Sequence, residues 1–113
     1  MSALSVAHSI KHIKKALGLT QDDFARSIGA SSRSIRRWET KAVSINESTA
    51  EKLELLDGAI HSAADIMKKD EIEAWFQTAN PALEGVKPIE LISSYSGLQR
   101  IQRTLTELEW GLF

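Results

Sequence analysis

Apolar residues recur along this chain in steps of three and four and never alternate for long, so the chain must build its core from helices. Ile10, Ile13 and Leu17 share one helical face, and Leu53, Leu56, Ile60, Ala63 and Met67 form a longer seam. Ile72, Trp75 and Phe76 lie on the apolar side of a third segment, Asp70 to Thr78. Leu98, Ile101, Leu105 and Leu108 repeat the pattern near the end. The expected fold class is all-α. The long seam must pack against another helix, in the same chain or in a second copy.

Punctuation between these segments is specific. Gly18 suits a left-handed cap that closes the first helix. Thr20 can cap a second, with Asp22 and Asp23 placed at the positive end of its dipole. Gly29 interrupts that helix after Phe24, Ala25 and Ile28, and Ser31 can cap a third. Within the third helix Ile35 and Trp38 point inward, while Arg33, Arg36 and Arg37 point outward. A polar stretch runs from Thr40 to Asn46, where Asn46 or Ser48 can start the next helix. Pro81 breaks the chain after Asn80, and Pro88 suits the first turn of a short helix carrying Ile89, Leu91 and Ile92.

A length of 113 residues allows one domain or two very small ones. Without cysteine there are no disulfides and no thiolate metal ligands. No apolar run approaches the ~20 residues of a membrane span, and the first residues do not form a signal peptide. These features point to a soluble cytoplasmic protein. Charge is unevenly divided: residues 1–50 hold eight Lys and Arg against four Asp and Glu, whereas residues 51–113 hold six against eleven. The first half suits a polyanion and the second does not.

The spacing of Gln21, Ala25, Gly29, Ile35 and Trp38 has a structural logic of its own. Two helices crossing at a sharp angle need a small residue at the crossing, here Ala25, and a turn tolerant of positive φ, here Gly29. Ile28, Ile35 and Trp38 fill the space beneath, leaving the outer face of the second helix free to enter a major groove. The stretch L-T-Q-D-D-F-A-R-S-I-G-A-S-S-R-S-I-R-R-W-E resembles the helix-turn-helix of phage-repressor and Xre-type regulators, over roughly residues 8–60. That resemblance implies base reading by Ser32, Arg33 and Arg37 and phosphate contact by Gln21 and Ser31. Arg36, on the same outer face, suits phosphate. Arginine matches guanine O6 and N7 bidentately, and a helix N-terminus offers free N–H groups to phosphate.

The stretch W-F-Q-T-A-N-P-A-L-E-G-V-K-P-I-E-L-I and the closing L-E-W-G-L-F resemble the C-terminal domain of the Xre/MbcA/ParS antitoxins, over about residues 64–113. The resemblance implies a helix-turn-helix domain over residues 1–63 and a toxin-binding domain over 64–113. It also implies an antitoxin that binds a RES-domain, NAD-consuming toxin and represses its own operon by binding operator DNA. Trp110, Leu112 and Phe113 would then form a toxin-binding tip, or alternatively fold back into the domain. A homodimer is expected, because one helix-turn-helix reaches few base pairs. Two other readings stay open: a stand-alone Xre-type repressor whose C-terminal domain only dimerises, and a partner-binding adaptor that has lost DNA.

Nothing in the sequence points to catalysis, a cofactor or a metal. His8 and His12 share a helix face at i, i+4, but no Glu follows the first His as in H-E-x-x-H and no third ligand is identifiable in sequence. His61 stands alone. No serine or aspartate has an evident histidine partner, and no glycine-rich phosphate loop is present.

Overall fold

Helices in this chain begin and end where a side chain or a glycine satisfies the free backbone groups. The computed structural model describes residues 3–40 and 45–111, with side chains from Val6 onward. Within those residues lie α1 (Ala3–Leu17), α2 (Gln21–Ile28), α3 (Ser32–Thr40), α4 (Glu47–Ala64), α5 (Lys69–Gln77) and α6 (Tyr95–Glu109). Two 3₁₀ turns, Pro81–Leu83 and Pro88–Leu91, separate α5 from α6. The fold is all-α, as the periodicity requires. The expected polar linker between α3 and α4 lies mostly at 41–44, outside the described residues.

Local chemistry accounts for these limits. Thr20 caps α2 by a reciprocal box: Asp23 N–H donates to Thr20 Oγ1 at 3.1 Å, and Thr20 N–H donates to Asp23 Oδ2 at 3.4 Å. Gly29 ends α2 at φ 81°, and the N–H groups of Gly29 and Ala30 both return to the Ala25 carbonyl. A side chain at Gly29 would be strained, so the turn into α3 depends on glycine. Ser31 Oγ then accepts from Ser34 N–H at 3.1 Å, and Asn46, rather than Ser48, caps α4 through Thr49 N–H at 2.8 Å. Asn80 performs the same service for the first 3₁₀ turn, with its Oδ1 accepting from Ala82 N–H at 2.9 Å.

The sequence pattern departs from the structure in two seams. Helix α4 stops at Ala64, so Met67 is not part of it. The N–H groups of Ile66 and Met67 both bond to the Ala63 carbonyl, and the chain turns into α5 without the glycine or proline that marks other stops. Leu108 likewise ends exposed, because the buried stripe of α6, Gly97, Leu98, Ile101, Thr104 and Leu105, stops one turn before it.

Packing centres on α4, which touches α1 on one side and α6 on the other. Leu53, Leu56, Ala59, Ile60 and Ala63 are buried along its length. The long seam is therefore consumed inside the chain and is not free to join a second copy. Helices α1, α2 and α3 close over Ile10, Ile13, Phe24 and Ile35, each fully buried. Burying side chains of this size contributes ~1.5–3 kcal/mol apiece. Helix α5, the 3₁₀ turns and α6 close over Ile72, Phe76, Ile92, Leu98 and Ile101, in one cluster continuous with the first. Trp38 is half-buried against it, as its position on the inner face of α3 requires.

Candidate nucleic-acid and partner interfaces

Helix α3 is held by its inner face and its first turn, which leaves the outer face open. Ile35 is fully buried. Lys14 of α1 donates to Glu39 Oε1 at 2.7 Å, with both side chains mostly covered, and this pair ties the end of α3 to α1. Gln21 Nε2 donates to the Ser32 carbonyl at 2.8 Å, and the Ser32 hydroxyl donates to the Asp22 carboxylate. These two bonds fix the crossing of α2 and α3 where the N-terminus of α3 projects.

Arg33, Arg36 and Arg37 are all exposed on the free face of α3. Glu39 is spent on Lys14, and Asp23 is spent on the cap of α2 and on a looser contact with Arg26 at 3.7 Å. The run of Arg33, Arg36 and Arg37 thus keeps its positive character, while the exposed Asp22 carboxylate stands at the start of α3 on the Ser32 hydroxyl. Ser31 is exposed at the first turn beside these arginines, and Gln21 and Ser32 are partly covered there. Of the six residues singled out in sequence, Gln21, Ser31 and Ser32 gather at the start of α3, and Arg33, Arg36 and Arg37 run along its exposed side into the last turn. Gln21 and Ser32 have a second duty, the bonds between the helices, which spacing did not reveal.

The other end of the chain presents a different surface. Trp110 is 75% exposed, and its indole is not packed into the core. Its backbone still closes α6, with N–H to the Thr106 carbonyl at 3.1 Å, and Gly111 follows at φ 71°. Leu112 and Phe113 lie outside the described residues. Two residues before Trp110, Leu108 forms the edge of an open groove of about 490 Å³ lined also by Ile66, Met67, Ala74 and Trp75. Trp75 stands half-buried with its ring edge-on to Phe76, the centroids 5.1 Å apart. Sequence reasoning missed this groove. It placed Met67 and Leu108 in separate internal seams, and only the early stop of α4 and the course of α6 bring them together.

His8 is exposed. His12 reaches across to α4, where its Nδ1 lies 2.8 Å from Asp57 Oδ1. No helix among the described residues is long and apolar enough to cross a membrane.

Residues 10–58 match a helix-turn-helix family. Residues 62–111 match the antitoxin Xre/MbcA/ParS C-terminal toxin-binding domain. The chain is 25% identical over 108 residues to the mycobacterial cidal antitoxin MbcA of Mycobacterium tuberculosis, covering 96% of this chain and 95% of that protein. MbcA of Mycobacterium bovis matches to the same extent, 25% over 108 residues. In three dimensions the chain resembles one in the crystal structure of the M. tuberculosis MbcT–MbcA toxin–antitoxin complex. The TM-score is 0.76 at 25% identity, over 95% of this chain and 96% of that one.

Proposed function

The chain belongs to the Xre/MbcA/ParS antitoxins, and from that premise we propose that it neutralises a RES-domain, NAD-consuming toxin by direct binding and represses its own operon at operator DNA. It acts in the cytoplasm by binding rather than by catalysis. Residues 1–63 serve DNA and residues 64–113 serve the toxin. The observation that carries this reading is the presence, in one chain, of an exposed arginine face on α3 and a C-terminal unit matched to antitoxin toxin-binding domains.

Each interface has an assigned set of residues. Arg33 and Arg37, with Ser32, read base edges, while Arg36, Ser31 and Gln21 meet phosphate. Ser31 and Gln21 fit that role by position, since both stand where the N-terminus of α3 offers backbone N–H groups to an anion. The toxin meets Trp110, Leu112 and Phe113, and the groove of Ile66, Met67, Trp75 and Leu108 offers it a second, largely apolar surface. An exposed tryptophan is the kind of anchor that dominates an interface. Two copies pair on a palindromic operator, as the short reach of one α3 requires.

The test is co-expression with the product of the neighbouring gene, which on this reading is a RES-domain toxin. The expected result is rescue of growth, co-purification of the two proteins, and a mobility shift of the promoter fragment. Operator binding with neither rescue nor co-purification would replace this reading with a stand-alone repressor. Co-purification without any mobility shift would leave a partner-binding adaptor.

A further inference from the structure

We propose that His12, Asp57 and His61 form a binding site for a borderline divalent transition metal such as Zn²⁺ or Ni²⁺, bridging α1 and α4. One ligand atom from each of the three residues lies within 4.8 Å of the others. Asp57 and His61 are one helical turn apart on α4, so they share a face, and His12 approaches that face from α1. His12 Nδ1 stands 2.8 Å from Asp57 Oδ1, and His61 Nδ1 stands 3.7 Å from the same oxygen. The two rings face each other with centroids 5.1 Å apart and planes tilted by 37°.

These separations suit coordination. Donors placed ~2.0–2.1 Å from a tetrahedral ion stand about 3.3 Å from one another. The observed 2.8 and 3.7 Å bracket that value and the two histidines approach within 4.8 Å, so closing the site calls for side-chain rotation with no movement of either helix. Both histidines ligate as neutral imidazoles, each carrying its proton on Nε2. His61 gives up its present bond to the Asp57 carbonyl, and the ion takes the place of the proton between His12 and Asp57.

The surroundings choose the kind of ion. His12 and His61 line a cavity of about 340 Å³, which leaves room for a water as fourth ligand. Lys15 and Lys69 line the same cavity. Their charge opposes a hard cation held mainly by electrostatics, such as Mg²⁺ or Ca²⁺. Two imidazole nitrogens favour Zn²⁺, Ni²⁺ or Cu²⁺, which form strong bonds to nitrogen. The side chains are 38%, 25% and 68% exposed for His12, Asp57 and His61, so the ion has a path from solvent. None of the three belongs to the arginine face or to the C-terminal groove. A bound ion would clip α4 to α1 within the DNA-binding unit.

The experiment uses the full chain, free of any histidine tag and stripped with EDTA. Zn²⁺, Ni²⁺ and Mg²⁺ salts are added separately, and melting temperature and calorimetric stoichiometry are recorded. Zn²⁺ or Ni²⁺ should bind once per chain and raise the melting temperature by about 5 °C or more near saturation. Co²⁺ should give the visible absorption of a four-coordinate site. His61→Gln, an exposed position that leaves the fold intact by circular dichroism, should weaken binding at least 10-fold, and His8→Gln should change nothing. His12→Gln should match His61→Gln wherever it folds. No thermal response to Zn²⁺ or Ni²⁺, or the same response in His61→Gln as in the wild type, would overturn the site. The trio would then be a hydrogen-bonded clip between helices and no more. An equal response to Mg²⁺ would overturn it as well, because it would mark unspecific charge binding.

Discussion

Two glycines inside helices, Gly58 and Gly97, should respond to alanine with opposite signs. Gly58 lies on the exposed side of α4, and a Cβ built there meets nothing within 4 Å. Alanine removes backbone freedom from the unfolded chain and raises helix propensity by ~0.8–1 kcal/mol. Gly97 is buried in the first turn of α6, where the same Cβ would lie 2.1 Å from the Leu91 carbonyl oxygen and 2.8 Å from Ser94 Oγ. The oxygen is backbone and cannot rotate away. Relief requires α6 to retreat by about 1 Å from the 3₁₀ turn ending at Leu91, and overpacking of this kind costs ~1–3 kcal/mol or more. The gain in propensity offsets at most ~1 kcal/mol of that, and less in a first turn. We expect Gly58→Ala to melt about 4 °C higher than wild type and Gly97→Ala about 4–8 °C lower, at ~1–2 kcal/mol net loss. Thermal unfolding followed by circular dichroism decides it. A Gly97→Ala protein as stable as wild type would refute the close approach of α6 to the 3₁₀ turn and, with it, the packing derived for the C-terminal unit.

The remaining expectations concern the interfaces. Arg33→Ala and Arg37→Ala should each lose ~1–3 kcal/mol of specific binding, read as a reduced preference for operator over random DNA in fluorescence anisotropy; unchanged preference in both would remove them from base reading. Arg36→Ala should weaken all sequences alike and lower the slope of log affinity against log salt by ~0.9 per lost phosphate contact. Trp110→Ala, or deletion of residues 111–113, should release toxin activity while operator binding and melting temperature persist; equal neutralisation by the truncated protein would show that the tip is not inhibitory. Sedimentation at micromolar concentration should show a species of twice 12.5 kDa, and a monomer alone would count against two-fold operator binding.

Local features proved legible wherever one residue type has one local job. Gly18 and Gly29 both adopt positive φ, at 65° and 81°, at the helix ends where their lack of a Cβ is needed. Thr20, Ser31 and Asn46 cap the helices they precede, because a side-chain oxygen one residue before a helix has few other partners. Pro81 and Pro88 start their 3₁₀ turns because a fixed φ and a missing N–H are tolerated there. The outward placement of Arg33, Arg36 and Arg37 followed from helical period alone, once Ile35 and Trp38 were assigned inward.

Only the tertiary structure decided what distant residues do to one another. The seam of α4 was readable as apolar, but period cannot say whether its partner is α1, α6 or a second copy; burial against both helices settles that. The end of α4 at Ala64 carries no local signal, and it moves Met67 from an internal seam to the rim of a groove with Trp75 and Leu108. His12 looked toward His8 in sequence, since i, i+4 neighbours are all that one helix can reveal. The packing of α1 on α4 gives it Asp57 and His61 instead, 45 and 49 positions further along the chain. Hydrophobic period and capping act within a turn or two of backbone, so a sequence displays them directly. Which helix faces meet depends on the whole set of crossing angles and side-chain volumes, and that is fixed only when the core closes.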